Sequence, residues 1–261
     1  MVRDPTQLVD HLAETWGSIG ALCDELEPAD WERSSGCPGW RVLDVLSHVV
    51  GLELELNGRP PAEAPVRVGD PPWVRDEFGR HMELAVWHRR GAAAGSVVGE
   101  FRDVIPDRVS ALRRRAAECP EDEVLGVMGL SGPLDRFVQI RLFDCFLHEQ
   151  DMRRATGRPG HLEGAAAEFC VSMMARIITR RVPEQAGLGA AAVELRIDGG
   201  PAPSVVLGEE GADPPSSVAS MPLATFLALG SGRSDADLAS VRVDGDQQLA
   251  ERVLGNMSIT P

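Results

Sequence analysis

The chain of 261 residues contains no lysine and no tyrosine. Every cation is therefore an arginine or a histidine, and neither a lysine Schiff base nor a tyrosine general acid is available to any mechanism. Asparagine is nearly absent while Arg, Ala, Gly and Pro abound, a bias that GC-rich coding produces and that salt adaptation can also produce. No apolar run approaches the ~20 residues of a membrane span, and the opening MVRDPTQL has no apolar signal core. These absences point to a cytoplasmic protein without a membrane partner. The cysteines Cys23, Cys37, Cys119, Cys145 and Cys170 are odd in number, scattered and never in a C-x-x-C pair, which argues against a disulfide frame or a zinc ribbon. Positive charge is also short, with 26 basic against 40 acidic residues and a formal net charge of −14. Such a field repels phosphate backbones and anionic lipid, so no nucleic acid partner is expected. P-loop, G-x-G-x-x-G, G-x-S-x-G and H-E-x-x-H signatures are all missing.

The length suits one large or two modest domains with ample core. Leu8, Leu12, Trp16, Ile19, Leu22 and Leu26 recur at helical spacing behind Asp4–Pro5, which predicts a long first helix. A loop, PADWERSSGCPGW, leads to a second helix over about 42–57 that carries His48 at the border of its apolar arc. A lone histidine there reads first as a packed core residue. Helical patterning returns over about 73–119, with a break near Gly91–Gly95 and a kink or division expected at Pro106. His81 and His88 read as surface or packing residues. Another helix, 164–182, follows the turn GRPGHLEG. Beyond Pro183, VELRIDG and PSVVLGE read as a hairpin, MPLATFLALGSGR as a helix, SVRVDG as a strand and DQQLAERVLGNM as a closing helix. The expected fold class is α+β: a helical bundle over residues 1–185, then a small α/β domain over 186–261.

The most informative stretch is PLDRFVQIRLFDCFLHEQDMRRATG, Pro133–Gly157, which reads as one helix. At 100° per residue Phe137, Arg141, Asp144, His148, Asp151 and Ala155 share a narrow stripe, with Leu134, Val138, Leu142, Cys145 and Met152 on one side and Ile140, Phe143 and Leu147 on the other. Polar groups thus sit inside the apolar face, the reverse of an ordinary amphipathic helix. A buried carboxylate or imidazole must be paired or must hold something, because an unpartnered buried charge costs several kcal/mol or more. Asp144 and His148, four residues apart, can reach one point. A divalent cation there satisfies both, and so does a simple Asp–His hydrogen bond. No cysteine lies on the stripe, so none is expected to be a nucleophile.

Two segments, CPGWRVLDVLSHVVGLE at 37–53 and RLFDCFLHEQDMRRATG at 141–157, resemble the mycothiol-dependent maleylpyruvate isomerase family, and VDGDQQLAERVLGNMSITP is similar to the end of that family's small C-terminal domain. The resemblance spans nearly the whole chain. It implies a DinB-like four-helix bundle with a metal, zinc, held by His48, Asp144 and His148. Aspartate stands where the best-known isomerases carry glutamate, and its shorter arm implies a shifted or more weakly held metal, or an extra water. Three N,N,O ligands leave an open position, the pattern of catalytic zinc, and the resemblance fills it with the thiolate of mycothiol. Addition of that thiolate to a small electrophilic substrate gives cis/trans isomerisation or an S-conjugate, so the implied enzyme is a mycothiol-dependent S-transferase or a maleylpyruvate-type isomerase. Arg233 in GSGR matches a substrate-handling arginine of the family and suits a carboxylate held bidentately; a surface arginine near a helix end is the other reading. Asp151 is a candidate for orienting a ligand and Arg141 for neutralising nearby acids; either reads equally as one half of a structural pair. Two further readings stay open: a metal-binding stress or regulatory module without catalysis, and a carrier whose C-terminal domain holds an apolar ligand.

Overall fold

A computed structural model of the chain describes residues 4–208 and 215–260. The chain divides into two compact units, Met1–Pro159 and Gly160–Pro261. The first contains α1 (Pro5–Glu25), α2 (Val42–Leu56), α3 (Glu77–Trp87), α4 (Ala94–Glu118), a short hairpin of β1 (Glu123–Leu125) and β2 (Ser131–Pro133), and α5 (Leu134–Thr156). Helix α1 packs against α4 and α5, α2 packs against α4 and α5, and α3 lies on α2, so α1, α2, α4 and α5 form a four-helix bundle. The expected inward residues of α1, Leu8, Leu12, Trp16, Ile19 and Leu22, are all buried. Asp4 caps the helix by accepting the Thr6 N–H at 2.9 Å.

Helix α4 continues through Pro106 without division. Pro106 and Arg102 are both exposed, so the Arg102 carbonyl that loses its helical donor is on the solvent side, where water can replace it. The β1–β2 hairpin has no apolar alternation to announce it: Glu123 and Leu125 are both exposed.

The second unit holds α6 (Ala165–Gln185), β3 (Ala192–Asp198), β4 (Ser204–Gly208), β5 (Ser217–Pro222), α7 (Leu223–Gly230), β6 (Arg242–Gly245) and α8 (Gln247–Gly255). The sheet order is β4-β3-β5-β6, with β3 antiparallel to β4, β3 parallel to β5, and β5 antiparallel to β6. Two findings differ from the sequence reading. The division between the units falls one helix before the expected 185/186 boundary, because α6 packs on β4 and α7. A Cβ added to Gly230 would lie 2.3 Å from the Met174 sulfur, so the bare glycine at the end of α7 is what lets α6 approach. Met221 and Pro222 are the end of a strand and not the start of a helix, which begins at Leu223. Residue Glu209, the last of the expected second strand, and Pro261 lie outside the described residues. Among the described residues no helix is long and apolar enough to cross a membrane.

Candidate metal centre

Helix α5 runs from the Pro133 cap to Gly157 and buries Arg141, His148 and Asp151, with Asp144 30% exposed at its side chain. Their spacing of three and four residues puts all four on one face. Opposite them α2 presents His48 and Glu53 in reversed order, as antiparallel neighbours must: His48 faces Asp144 and His148, and Glu53 faces Arg141.

His48 Nε2 lies 3.5 Å from Asp144 Oδ2, His148 Nε2 lies 3.6 Å from Asp144 Oδ1, and the two imidazole centroids are 4.7 Å apart. One donor atom from each residue lies within 4.8 Å of the others. Metal–ligand bonds of ~2.0–2.1 Å in a tetrahedron set neighbouring donors ~3.3–3.4 Å apart, so both carboxylate–imidazole spacings come close to that edge. His48 is 2% exposed, yet neither of its ring nitrogens has a hydrogen-bond partner among the described residues. An unsatisfied buried polar atom costs ~1–3 kcal/mol, and a cation bonded to Nε2 removes the deficit at that nitrogen. The donor set and the orphaned ring therefore fit a divalent metal.

Protonation states agree. Burial, helped by His148 and Arg141 and opposed by Asp144, pushes the His48 pKa down to about 4. Its ring is thus neutral at pH 7, as a ligand must be. Burial works to raise the Asp144 pKa, but the Arg141 guanidinium and the two imidazoles outweigh it and hold the carboxyl far below the usual range.

The groups around the three residues are themselves tied. Arg141 donates from Nη1 to Asp144 Oδ2 at 2.7 Å and from Nε to Glu53 Oε1 at 2.8 Å, while Arg108 Nε donates to Glu53 Oε2 at 2.8 Å. Beyond His148, its Nδ1 lies 3.1 Å from Asp151 Oδ2, which also receives the Cys37 thiol at 3.2 Å. Trp40 covers both imidazoles, with ring centroids 5.1 Å from His48 and 6.1 Å from His148. Its Nε1 donates to Glu83 Oε2 at 2.8 Å, and the same buried carboxylate accepts from Trp73 Nε1 at 3.1 Å and from Arg90. Arg141 also lines a cavity of about 340 Å³ with Leu12, Leu134, Phe137 and Val138, but none of the three candidate ligands lines it, so the cavity is not this site.

His48, Asp144 and His148 are thus brought together, with Asp151 and Arg141 each bonded to one of them. Arg233 belongs to the second unit, at the turn after α7, where its Nη1 donates to the Ser231 carbonyl at 2.8 Å. His81 and His88 have partners, Glu55 at 2.7 Å and the Ala62 carbonyl at 2.8 Å. Sequence reading missed Cys37, Trp40, Glu53 and Glu83. The first three lie within CPGWRVLDVLSHVVGLE, so the motif itself was the signal; Glu83 left none.

Residues 12–153 match the family model described as the mycothiol maleylpyruvate isomerase N-terminal domain. Two solved structures, of a mycothiol-dependent maleylpyruvate isomerase and of a single-site mutant of one, share the fold with TM-scores of 0.57 and 0.58. In each case 93% of both chains is covered at 14% identity. No curated protein matches the chain by sequence.

Proposed function

This chain belongs to the mycothiol maleylpyruvate isomerase family, and on that premise we propose that it is a mycothiol-dependent enzyme whose metal, zinc, is held by His48, Asp144 and His148. The observation that carries the reading is the buried His48 ring with no hydrogen-bond partner on either nitrogen among the described residues, set beside a carboxylate and a second imidazole. When bound, a divalent metal supplies the charge that ionises a thiol at neutral pH.

The chain's own residues prepare that chemistry. His48 is neutral and Asp144 ionised at pH 7, so protons do not compete for the donor atoms. Arg141 fixes one carboxylate oxygen of Asp144, and Glu53 fixes Arg141 in turn. Trp40 roofs both imidazoles with apolar surface, which limits water on that side. Three protein donors leave coordination free for a thiol. The substrate is a small electrophile, the reaction an S-transfer or a maleylpyruvate-type cis/trans isomerisation, and Arg233 is the residue assigned to a substrate carboxylate. The setting is the cytoplasm.

The test is metal content and thiol-dependent turnover together. Fresh or reloaded protein should carry about one divalent ion, His48→Ala and His148→Ala should carry none, and maleylpyruvate should turn over only when mycothiol is present. Protein that takes up no metal after chelation and reloading, or that hydrolyses an ester or amide without any thiol, overturns the reading.

A further inference from the structure

We propose that Cys37 is a positioning residue for the metal centre, acting through Asp151 on the orientation of His148; the proposal rests on the metal reading above. The geometry begins in the turn that precedes α2. The Trp40 backbone N–H donates to the Cys37 carbonyl at 3.1 Å, with Pro38 and Gly39 between them and Gly39 at φ +72°. Proline followed by a residue of positive φ is the signature of a type II turn. Ser35 closes the loop, its Oγ donating to the Trp40 carbonyl at 2.9 Å and accepting the Cys37 N–H at 3.3 Å. A short side chain on so constrained a backbone has little freedom, and its thiol lies 3.2 Å from Asp151 Oδ2.

That oxygen is shared. His148 Nδ1 approaches it at 3.1 Å, while Arg154 Nη2 donates to the other oxygen of Asp151 at 3.1 Å. A carboxylate oxygen only accepts, and of the two carboxylates beside the ring only Asp151 is within hydrogen-bond distance, 3.1 Å from Nδ1 against 3.6 Å from Nε2 to Asp144. The pairing therefore favours the proton on Nδ1 and leaves the Nε2 lone pair toward Asp144 and His48, where a cation would take it. The thiol, the guanidinium and the imidazole N–H each hold one side of Asp151. Removing the S–H takes one of these bonds from the oxygen that His148 shares, and so relaxes the torsion of the carboxylate and the ring it steers. The turn that supplies Cys37 also supplies Trp40 to the face of both imidazoles, so one six-residue loop holds His148 from behind and from above.

Cys37, His148 and Asp151 also each offer a donor atom within 4.8 Å of the others. For Cys37 to ligate an ion there, His148 Nδ1 would have to release Asp151, and the Nε2 lone pair would no longer be set by it. Outer partners of this kind change metal affinity by ~10–100-fold, which makes the assignment measurable.

The experiment loads metal-free protein with Co²⁺ and measures affinity by competition with a chromophoric chelator, in the parent, Cys37→Ala, Cys37→Ser, Asp151→Asn and the Cys37→Ala/Asp151→Asn double variant. Cys37→Ala should bind about tenfold more weakly. Cys37→Ser, whose hydroxyl can donate to the same oxygen, should stay near the parent. Adding Cys37→Ala to Asp151→Asn should cost nothing more, because the thiol acts through that carboxylate. In the metal-free parent, long-range ¹H–¹⁵N spectra should show His148 as the Nδ1–H tautomer. The proposal is overturned by affinity of Cys37→Ala within twofold of the parent, by additive losses in the double variant, or by the Nε2–H tautomer. A sulfur-to-cobalt charge-transfer band in the parent that vanishes in Cys37→Ser overturns it too, by making Cys37 a ligand. Failure of the parent to take up Co²⁺ sinks the metal reading separately, and the same spectra of metal-free Cys37→Ala then decide the linkage of Cys37, Asp151 and His148: a His148 signal unchanged from the parent overturns it.

Discussion

Replacing Glu53 by glutamine should be among the most destabilising changes available in the first unit. The Glu53 side chain has no solvent exposure, and its two oxygens take Arg141 at 2.7 Å and Arg108 at 2.8 Å, whose side chains are 7% and 10% exposed. Glutamine is nearly isosteric, so no cavity forms and the change is electrical. It leaves one acceptor oxygen for two guanidiniums and turns an NH₂ toward one of them. Arg141 then keeps Asp144 as its only carboxylate, and Arg108 keeps the Leu56 carbonyl at 3.2 Å. Two opposite charges ~4 Å apart attract by ~4 kcal/mol at an effective dielectric of ~20. Breaking one partner out of a buried pair costs ~3–5 kcal/mol in measured cases.

An internal control is available in Arg113–Asp10, where both side chains are more than half exposed. Asp10→Asn should cost ~0–1 kcal/mol. The assay is urea unfolding at pH 7 in the presence of chelator, followed by tryptophan fluorescence. All five tryptophans, Trp16, Trp31, Trp40, Trp73 and Trp87, lie in the first unit, so the signal reports that unit alone. With a urea dependence of ~2 kcal/mol/M, a loss of ~3–5 kcal/mol moves the midpoint by ~1.5–2.5 M. A displacement for Glu53→Gln no larger than that for Asp10→Asn would refute the reasoning.

Three other outcomes are expected. In metal-free protein, unfolded His48 takes a proton near pH 6.5 while folded His48 does so only at about 4, so the unfolded state binds more protons between those values. Stability of the first unit should fall as pH drops through that window, by up to ~3 kcal/mol from this residue; a His48→Gln profile parallel to the parent there would contradict it. Of the five thiols only Cys119 is exposed, and burial pushes Cys23 up to about 12. A thiol reagent should therefore titrate one cysteine rapidly in native protein and the other four on unfolding, and two or more fast thiols would count against the placement. Gly39→Ala combines a left-handed backbone with a Cβ 2.4 Å from the Trp73 ring, so it should cost ~1–3 kcal/mol and weaken metal uptake by displacing the Trp73–Glu83–Trp40 set; a variant that melts with the parent would argue otherwise.

Periodicity within single segments was a dependable guide. The stripe of α1 is buried as spaced, and the polar row of α5 points inward between the same two caps that Pro133 and Gly157 suggested. Periodicity was silent for β5, whose SVASMP has neither β-branched alternation nor a charged face; burial of Ser217, Ala219 and Met221 follows from its neighbours β3 and β6. It also misplaced α6, since an apolar stripe does not say which partner will cover it.

The sequence by itself determined most of the helices and the inward charge of α5, with Asp144 and His148 on one face, because side-chain direction on a helix is set by neighbours three and four residues away; His48, on another helix, joined them only through the family resemblance of its motif. Only the tertiary structure decided how those charges are held. Glu53 meets Arg141 across 88 residues of chain, and Cys37 meets Asp151 across 114. Nothing local encodes such pairs: each side chain is an ordinary polar residue of its own segment, and it becomes the partner of a buried charge only when antiparallel packing of α2 on α5, and the turn before α2, remove the water that would otherwise solvate it.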